Sequence, residues 1–206
     1  MTAPARTRGA DVARIAVFAA LIVVLGMVTV PLPGGVPITA QTLGVMLAGL
    51  VLGARRAPLA VLVVLALAAV GLPVLAGGRG GLGVFLGPTA GYLAGWVAGV
   101  VVIGLVMQSG PFAWWRAGLA ALGGGVLVVY LFGIPVQALV TGVPLGPTAL
   151  SGLVFLPGDL LKVAAATVLV TALHRAYPRA FPDRTGARNL TGARNLTGEA
   201  GAPRVA

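Results

Sequence analysis

The chain has 206 residues, of which 58% are hydrophobic and 9% are charged, and its mean hydropathy is +1.03. Soluble domains carry about 25% charged residues, so this composition excludes a water-facing surface over most of the chain. Cysteine is absent and histidine occurs once, at His174, which excludes a disulfide framework and the usual metal sites built from several cysteines or histidines.

Long stretches without a charged residue indicate membrane spans, because about 20 apolar residues cross a hydrocarbon core of about 30 Å. Proline and glycine turn signals divide these stretches into six segments. In chain order the segments are 15–30, 39–52, 58–70, 88–107, 113–132 and 159–174. They lack the two-residue alternation of a membrane barrel, whereas a helix satisfies its own backbone hydrogen bonds. The sequence therefore predicts an all-α integral membrane protein, a bundle of six transmembrane helices.

The positions of the basic residues predict how these helices are oriented. With the N-terminus in the cytoplasm, Arg79 is the lone base outside and all other bases lie inside, apart from Lys162 within a predicted helix. This distribution explains the net charge of +10 without a nucleic-acid partner. We predict a multi-pass protein of the cell (cytoplasmic) membrane with cytoplasmic termini. Its parts are a cytoplasmic segment 1–12, the membrane domain 13–176 and a basic tail 177–206 whose composition predicts disorder.

Small and polar residues stand out in the first two predicted helices. Ala16 and Ala20 lie four residues apart, a spacing that allows close helix packing. A pattern of only two residues is too short to identify a partner. Thr39, Gln41 and Thr42 begin the second predicted helix. Buried polar groups need partners, which here are either a ligand or neighbouring helices.

A glycine-rich stretch, residues 77–83, contains Arg79. Gly78, Gly80 and Gly83 have the spacing of the dinucleotide-binding fingerprint, but that motif needs a preceding strand, a following helix and a later acid. None of these is evident, so we reject it. Glycines permit positive φ angles and a close approach of backbone to a ligand. The stretch is therefore either a ligand-binding loop or simply a flexible one, and Arg79 could attract an anion.

Asp159 and Lys162 are the charged residues within the predicted spans. Their spacing places them on one helix face. Each costs about 2.5–3.5 kcal/mol at mid-membrane, and such residues usually face a functional cavity. The alternative is a helix-start acid paired locally with Lys162.

The sequence contains no constellation typical of catalysis. Nothing resembles a nucleophile–base pair, an acid/base carboxylate pair or a phosphate-binding P-loop. We therefore predict that the protein is not an enzyme and carries no catalytic residues, metal or cofactor.

Four motifs, in the right order between Arg14 and His174, resemble the BioY family, the biotin-specific S components of energy-coupling factor (ECF) transporters. The motifs are residues 37–49, 76–81, 86–95 and 157–162. One departure is Ala90, where the family is expected to have a second glycine beside Gly91.

The resemblance implies six helices and a biotin pocket near the extracellular side. It implies that Asp159 and Lys162 hold the polar end of biotin and that the glycine-rich loop closes over it. It also implies partners, namely a transmembrane T component and two ATPase subunits. In such S components the small-residue face of the first helix docks on the T component, which here would be Ala16 and Ala20.

The chemistry of biotin is compatible with these residues. The ureido N–H groups need an acceptor such as Asp159, and the ureido oxygen or the carboxylate needs a cation such as Lys162 or Arg79. The charges of biotin and of these three residues sum to zero, which avoids burying unpaired charge; which cation meets which end stays open. The further candidate ligand contacts are Thr39, Gln41, Gly78, Gly80, Gly81, Leu82, Phe85 and Tyr92.

Three other functions remain open at this point. The protein could be a solitary, proton-coupled secondary transporter of a small anionic vitamin, in which Asp159 titrates. It could be a membrane enzyme, although the scarcity of acid and base residues argues against this. It could also be a purely structural helical bundle.

Overall fold

The structure is a computed structural model that describes residues 8–30, 38–178 and 181. Seven α-helices account for most of this part of the chain. They are α1 Arg8–Gly26, α2 Gln41–Ala69, α3 Ala90–Gln108, α4 Trp114–Leu122, α5 Val129–Thr141, α6 Leu145–Gly152 and α7 Leu156–Ala176. A π-helical turn, Gly123–Val128, joins α4 to α5, and 3₁₀ turns occupy Leu82–Phe85 and Leu153–Phe155. Two-residue strands, β1 Thr29–Val30 and β2 Ile38–Thr39, pair antiparallel.

Within the described residues, five helical stretches are long and apolar enough to cross a membrane. They are Gly9–Gly26, Gln41–Ala69, Ala90–Gln108, Trp114–Thr141 and Leu145–Ala176. Large apolar side chains such as Leu131 and Leu161 are exposed on their outer faces, as expected where the surrounding medium is lipid. The prediction of an all-helical integral membrane protein is confirmed, apart from the short β1–β2 pair.

The second and third predicted helices are the two halves of α2. Gly53 lies between them with φ 76° and ψ 177°, a backbone conformation that interrupts the helix and that glycine adopts without a Cβ clash. The two ends of α2 are close in space: the side chain of Gln41, at its start, donates a hydrogen bond to the carbonyl oxygen of Val74, five residues after its end. The chain therefore turns back sharply at Gly53, and no separate loop is needed.

The last predicted helices are longer than the turn signals indicate. The predicted segment 113–132 continues to Thr141, with Pro135 inside α5, and ends where Gly142 adopts a left-handed φ of 71°. Residues 145–155, predicted to lie outside any helix, form α6 and a 3₁₀ turn that leads into α7. Pro147 marks no break here, because it lies in the first turn of α6, where a missing N–H is tolerated.

Glycines let α3 approach its neighbours closely. A Cβ at Gly91 would collide with the backbone of Phe132 in α5, and one at Gly99 with the backbone of Gly124 in the π-helical turn. On the side of α3 that faces α2, a Cβ at Gly104 would collide with the backbone of Ala54, next to the break in α2. This small-residue packing brings α2 and α5 together on either side of α3.

The end of the bundle near the α2 break is held by an ion pair and an aromatic cluster. Arg56 pairs with Asp11 of α1 at 2.9 Å. The ring of His174, at the end of α7, stacks on Phe112 with a centroid distance of 4.0 Å. Phe181 packs edge-on against both rings and is only 5% exposed, although it belongs to the segment assigned to the tail.

We expect Gly104→Ala to destabilise the bundle, because the new methyl group meets backbone rather than a side chain that could move aside. Overpacking of this kind costs about 1–3 kcal/mol. The matched control is Gly123→Ala, whose Cβ meets nothing within 4 Å. Melting of the detergent-solubilised proteins tests this, and equal melting temperatures for the two variants would contradict the packing described here.

Candidate ligand-binding site

A cavity opens at the end of the bundle opposite the α2 break. Counted together with the open solvent at its mouth, the space between the surrounding atoms is about 690 Å³. Its apolar wall combines side chains from the loop after α2, from α3, from the π-helical turn and α5, and from the turn before α7. These residues are Leu75, Ala76, Tyr92, Leu93, Trp96, Gly125, Val129 and Phe155.

The polar lining comes from both halves of the chain. Its members are Thr39, Gln41, Thr42, Arg79, Thr89, Tyr130, Asp159 and Lys162. A mostly apolar cavity with a few convergent polar groups is the usual form of a small-molecule site.

Four of these polar side chains form a continuous hydrogen-bonded relay. Lys162 Nζ donates to Asp159 Oδ1 at 2.9 Å and to Thr42 Oγ1 at 3.0 Å. The hydroxyl of Tyr130 donates to the other carboxylate oxygen, Asp159 Oδ2, at 2.6 Å. The side chains of Asp159 and Lys162 are only 10% and 14% exposed. Charged groups that are largely buried are tolerated when they are paired and hydrogen-bonded, as these two are.

The start of α7 positions the ion pair. Pro157 occupies the beginning of the helix, so Asp159 falls in its first turn, where the helix dipole favours a negative charge. Lys162 follows one turn later on the same face. The pair is therefore local to one helix start and also lines the cavity, and its functional role stays a prediction.

The glycine-rich loop has a defined conformation at the cavity mouth. Gly77 and Gly78 have φ values of 71° and 70°, which turn the chain so that Leu75 and Arg79 exchange two backbone hydrogen bonds. Arg79 Nε also donates to the carbonyl oxygen of Ala76 at 3.0 Å. The loop is therefore folded back on itself.

Gln41 ties this loop to the start of α2. Its Nε2 donates to the carbonyl oxygen of Val74 at 3.0 Å, and its Oε1 accepts from the N–H of Ala76 at 3.2 Å. The side chain is fully buried. Gly26, at the end of α1, provides the space, because a Cβ there would lie 2.8 Å from the Gln41 amide.

Tyr92 contributes its ring to the cavity, whereas its hydroxyl is occupied elsewhere. The hydroxyl donates to Gln137 Oε1 at 2.8 Å. The ring stands edge-on to that of Tyr130, with centroids 6.4 Å apart and planes at 81°, a favourable aromatic arrangement.

Six of the eleven ligand-contact residues predicted from the sequence line the cavity. They are Thr39, Gln41, Arg79, Tyr92, Asp159 and Lys162.

The other five predicted contacts lie nearby but outside the lining. Gly78 shapes the loop turn, and Gly80 packs so closely on the backbone of Leu72 that a Cβ would collide with it. Gly81 has a φ of 84° and donates its N–H to Ala68. Leu82 is 70% exposed, and Phe85 packs against the hydrophobic core. Their contact with a ligand stays a prediction.

Sequence reasoning missed several lining residues, of which Tyr130 and Trp96 are the most informative. Neither is charged. Trp96 lies one helical turn after the predicted contact Tyr92, on the same face of α3, whereas Tyr130 lies far from any predicted site residue in the chain. The available signal was chemical: Tyr130 is a polar side chain in the middle of a long apolar run, and a buried hydroxyl needs a partner. Thr42, which begins the second predicted helix with Thr39 and Gln41, accepts a hydrogen bond from Lys162.

The fold and this cavity define the class: a multi-pass membrane protein with a mostly apolar cavity, lined by a few polar groups, at one end of its helical bundle. A family model described as the BioY family matches residues 1–179. The chain belongs to the BioY family.

Two curated relatives are similar over nearly their whole length. The biotin transporter BioY of Rhizobium etli is 47% identical over 178 residues, covering 82% of this chain and 95% of that protein. The biotin transporter BioY of Rhodobacter capsulatus is 48% identical over 184 residues, covering 82% and 96%. These relatives are transporters, which confirms the prediction that the protein is not an enzyme.

A solved structure has the same fold. The crystal structure of the S component for biotin from an ECF-type ABC transporter superposes with a TM-score of 0.77 and 34% sequence identity. The match covers 83% of this chain and 95% of that one.

We expect Gln41→Leu to loosen the glycine-rich loop. The change leaves the Val74 carbonyl and the Ala76 N–H without their partner, and an unsatisfied buried group costs about 1–3 kcal/mol. Hydrogen exchange at the Ala76 amide should become at least about tenfold faster. Gln108→Leu, an exposed glutamine at the end of α3, should leave the exchange rate unchanged. Equal exchange rates at Ala76 in the two variants would contradict the role assigned to Gln41.

Proposed function

We propose that this protein is the biotin-binding S component of an ECF transporter, which captures biotin from the extracellular side and delivers it inward with an ATP-driven ECF module. One observation carries the proposal: a mostly buried Lys162–Asp159 pair lines an apolar cavity in a chain whose curated relatives are named biotin transporters.

The ion pair retains hydrogen-bonding capacity for a ureido group. An ammonium group has three N–H donors, and those of Lys162 bond Asp159 and Thr42, which leaves one. A carboxylate has about four acceptor positions, of which Lys162 and Tyr130 occupy two. A ureido group presents an acceptor oxygen beside N–H donors, so Asp159 and Lys162 together complement it.

Arg79 supplies the charge that the ion pair does not. Asp159 and Lys162 neutralise each other, whereas Arg79 at the mouth uses Nε on a backbone carbonyl and keeps its positive charge. A bound carboxylate next to Arg79 would make the closed site neutral, which lowers the cost of burying the ligand. Between the two polar ends, Leu93, Trp96 and Val129 offer an apolar surface to a fused-ring body.

The proposed topology has six passes, with the two halves of α2 forming two of them. The break at Gly53 lies beside Arg55 and Arg56, and Arg56 reaches Asp11 at the start of α1. Gly104, near the end of α3, packs at the same level. The bases therefore gather at this end, and Arg79 lies at the other. The positive-inside rule places this basic end and both termini in the cytoplasm, with the protein in the cytoplasmic membrane.

The proposed partners are a transmembrane T component and two ATPase subunits. Ala16 and Ala20 are exposed on α1, on a different side of the helix from the buried Ile22. A flat, small-residue surface permits close approach of another membrane helix, and we propose that the T component docks there.

The first test is the biotin content of protein purified from biotin-containing medium. We expect near-stoichiometric biotin in the wild type and less than about a tenth of that in Asp159→Asn and Lys162→Met, because a hydrogen bond to a charged group contributes about 1.5–3 kcal/mol. The double variant, Asp159→Asn with Lys162→Met, leaves no unpaired buried charge that could unfold the protein. Loss of biotin in this variant therefore reports a loss of binding and not a loss of folding.

The matched control for this test is Asp11→Asn, which breaks the ion pair of equal length at the opposite end of the bundle. It should retain bound biotin. A folded wild type without biotin would refute the assignment of the ligand, and unchanged biotin in the double variant would refute the assignment of the site.

Replacing the small residues of α1 should separate transport from binding. We expect Ala16→Trp and Ala20→Trp to keep wild-type biotin binding in detergent but to lose most biotin uptake in cells that express the complete module. Ala164→Trp, an equally large change at an exposed position of α7, should support uptake. Uptake that persists in both α1 variants, or that needs no ATPase subunits, would contradict docking at this face.

A further inference from the structure

Tyr130 belongs to the hydrogen-bonded relay that lines the cavity. We infer that Tyr130 is a positioning residue for ligand recognition: its hydroxyl fixes the Asp159 carboxylate so that the unused acceptor positions face the cavity. This inference rests on the proposed function, because it concerns how the same site holds the N–H groups of its ligand.

The geometry gives Asp159 two supports of different kinds. Lys162 is on the same helix and has a long, flexible side chain, so by itself it would let the carboxylate turn. Tyr130 approaches from α5, 29 residues away in the chain, and its 2.6 Å bond to Oδ2 has the length of a charge-assisted hydrogen bond. Support from two helices holds both oxygens in place.

Tyr130 is itself held in place. Its ring packs edge-on against Tyr92, and the Tyr92 hydroxyl is bound to the buried amide of Gln137. A tyrosine has few rotatable bonds, so one aromatic contact and one hydrogen bond leave it little freedom. The hydroxyl that reaches Asp159 is therefore a fixed donor.

The π-helical turn before Tyr130 directs it towards the cavity. In a π-helix the hydrogen bonds join residues five apart, so residues five apart approach a common face. Gly125 lies within the turn and Tyr130 follows it by five residues; both line the cavity, as does Val129. Such turns occur frequently at functional sites, and here the local widening places a hydroxyl opposite a carboxylate.

The competing explanation is that Tyr130 only stabilises the fold by satisfying Asp159. The two explanations differ in what happens when the carboxylate is moved. Asp159→Glu keeps the charge but displaces the carboxylate by one methylene group, away from its fixed position beside Tyr130. If Tyr130 acts by positioning Asp159, removing its hydroxyl should then have little further effect on biotin.

The experiment is a double-mutant cycle on full-length protein from biotin-depleted cells, with labelled biotin as the probe. We expect Tyr130→Phe to raise the dissociation constant for biotin at least about tenfold, mainly through faster dissociation. In the Asp159→Glu background the same change should alter it less than about twofold. Tyr177→Phe, the same chemical change at an exposed tyrosine after α7, should bind as the wild type does.

Four outcomes decide the matter. Wild-type affinity in Tyr130→Phe would overturn this inference while leaving the proposed function intact. An equal loss in both backgrounds, or a lower melting temperature of ligand-free Tyr130→Phe that accounts for the loss, would assign Tyr130 a structural role instead. If Tyr130→Phe does not fold, wild-type affinity in Asp159→Glu would overturn the inference, because the carboxylate would then need no fixed position. Absence of biotin binding in the wild type would remove the proposed function and this inference together.

Discussion

The cost of placing charge inside a membrane determines how this bundle is built around its cavity. A lysine and an aspartate in an apolar helix are each expensive alone, and pairing them on one helix face recovers only part of that cost. Tyr130 from α5 and Thr42 from α2 each add a hydrogen bond to the pair. Three helices must therefore converge at one depth, and each contributes a hydrogen-bonding group there.

Convergence of these helices depends on positions that carry no side chain. The glycines of α3 allow the backbones of α5 and of the π-helical turn to come close, and Gly104 does the same for α2 beside its break. Larger residues would widen the bundle, and the hydrogen bonds of 2.6 and 3.0 Å that join α7 to α5 and α2 could not form. The packing at Gly104 and the hydrogen bonds of Asp159 lie at opposite ends of the bundle, yet both depend on the same close approach of helices.

The sequence predicts well whatever is expressed locally along the chain. Charge-free stretches reveal the spans, and the three-residue spacing of Asp159 and Lys162 reveals the ion pair. It predicts poorly what depends on tertiary placement. The break in α2 depends on Gly53, one of 32 glycines in the chain, and no sequence pattern marks it as the one that adopts a positive φ inside a helix. The helical character of 145–155 is likewise not evident, because a proline lies in the first turn. Tyr130 acquires its role only because α5 and α7 meet, which no local pattern encodes.

The first turn of α2 connects two parts of the cavity lining, the loop that carries Arg79 and the Lys162–Asp159 pair. Gln41 bonds the loop that carries Arg79, and its neighbour Thr42 bonds Lys162 in the relay. Because the two residues are consecutive in one helix, a displacement of this turn moves the loop and the relay together. The two polar ends of the cavity are thus joined through backbone as well as through any ligand between them. A site built this way presents both ends at a set separation, which favours ligands whose polar groups are held apart by a body of matching length.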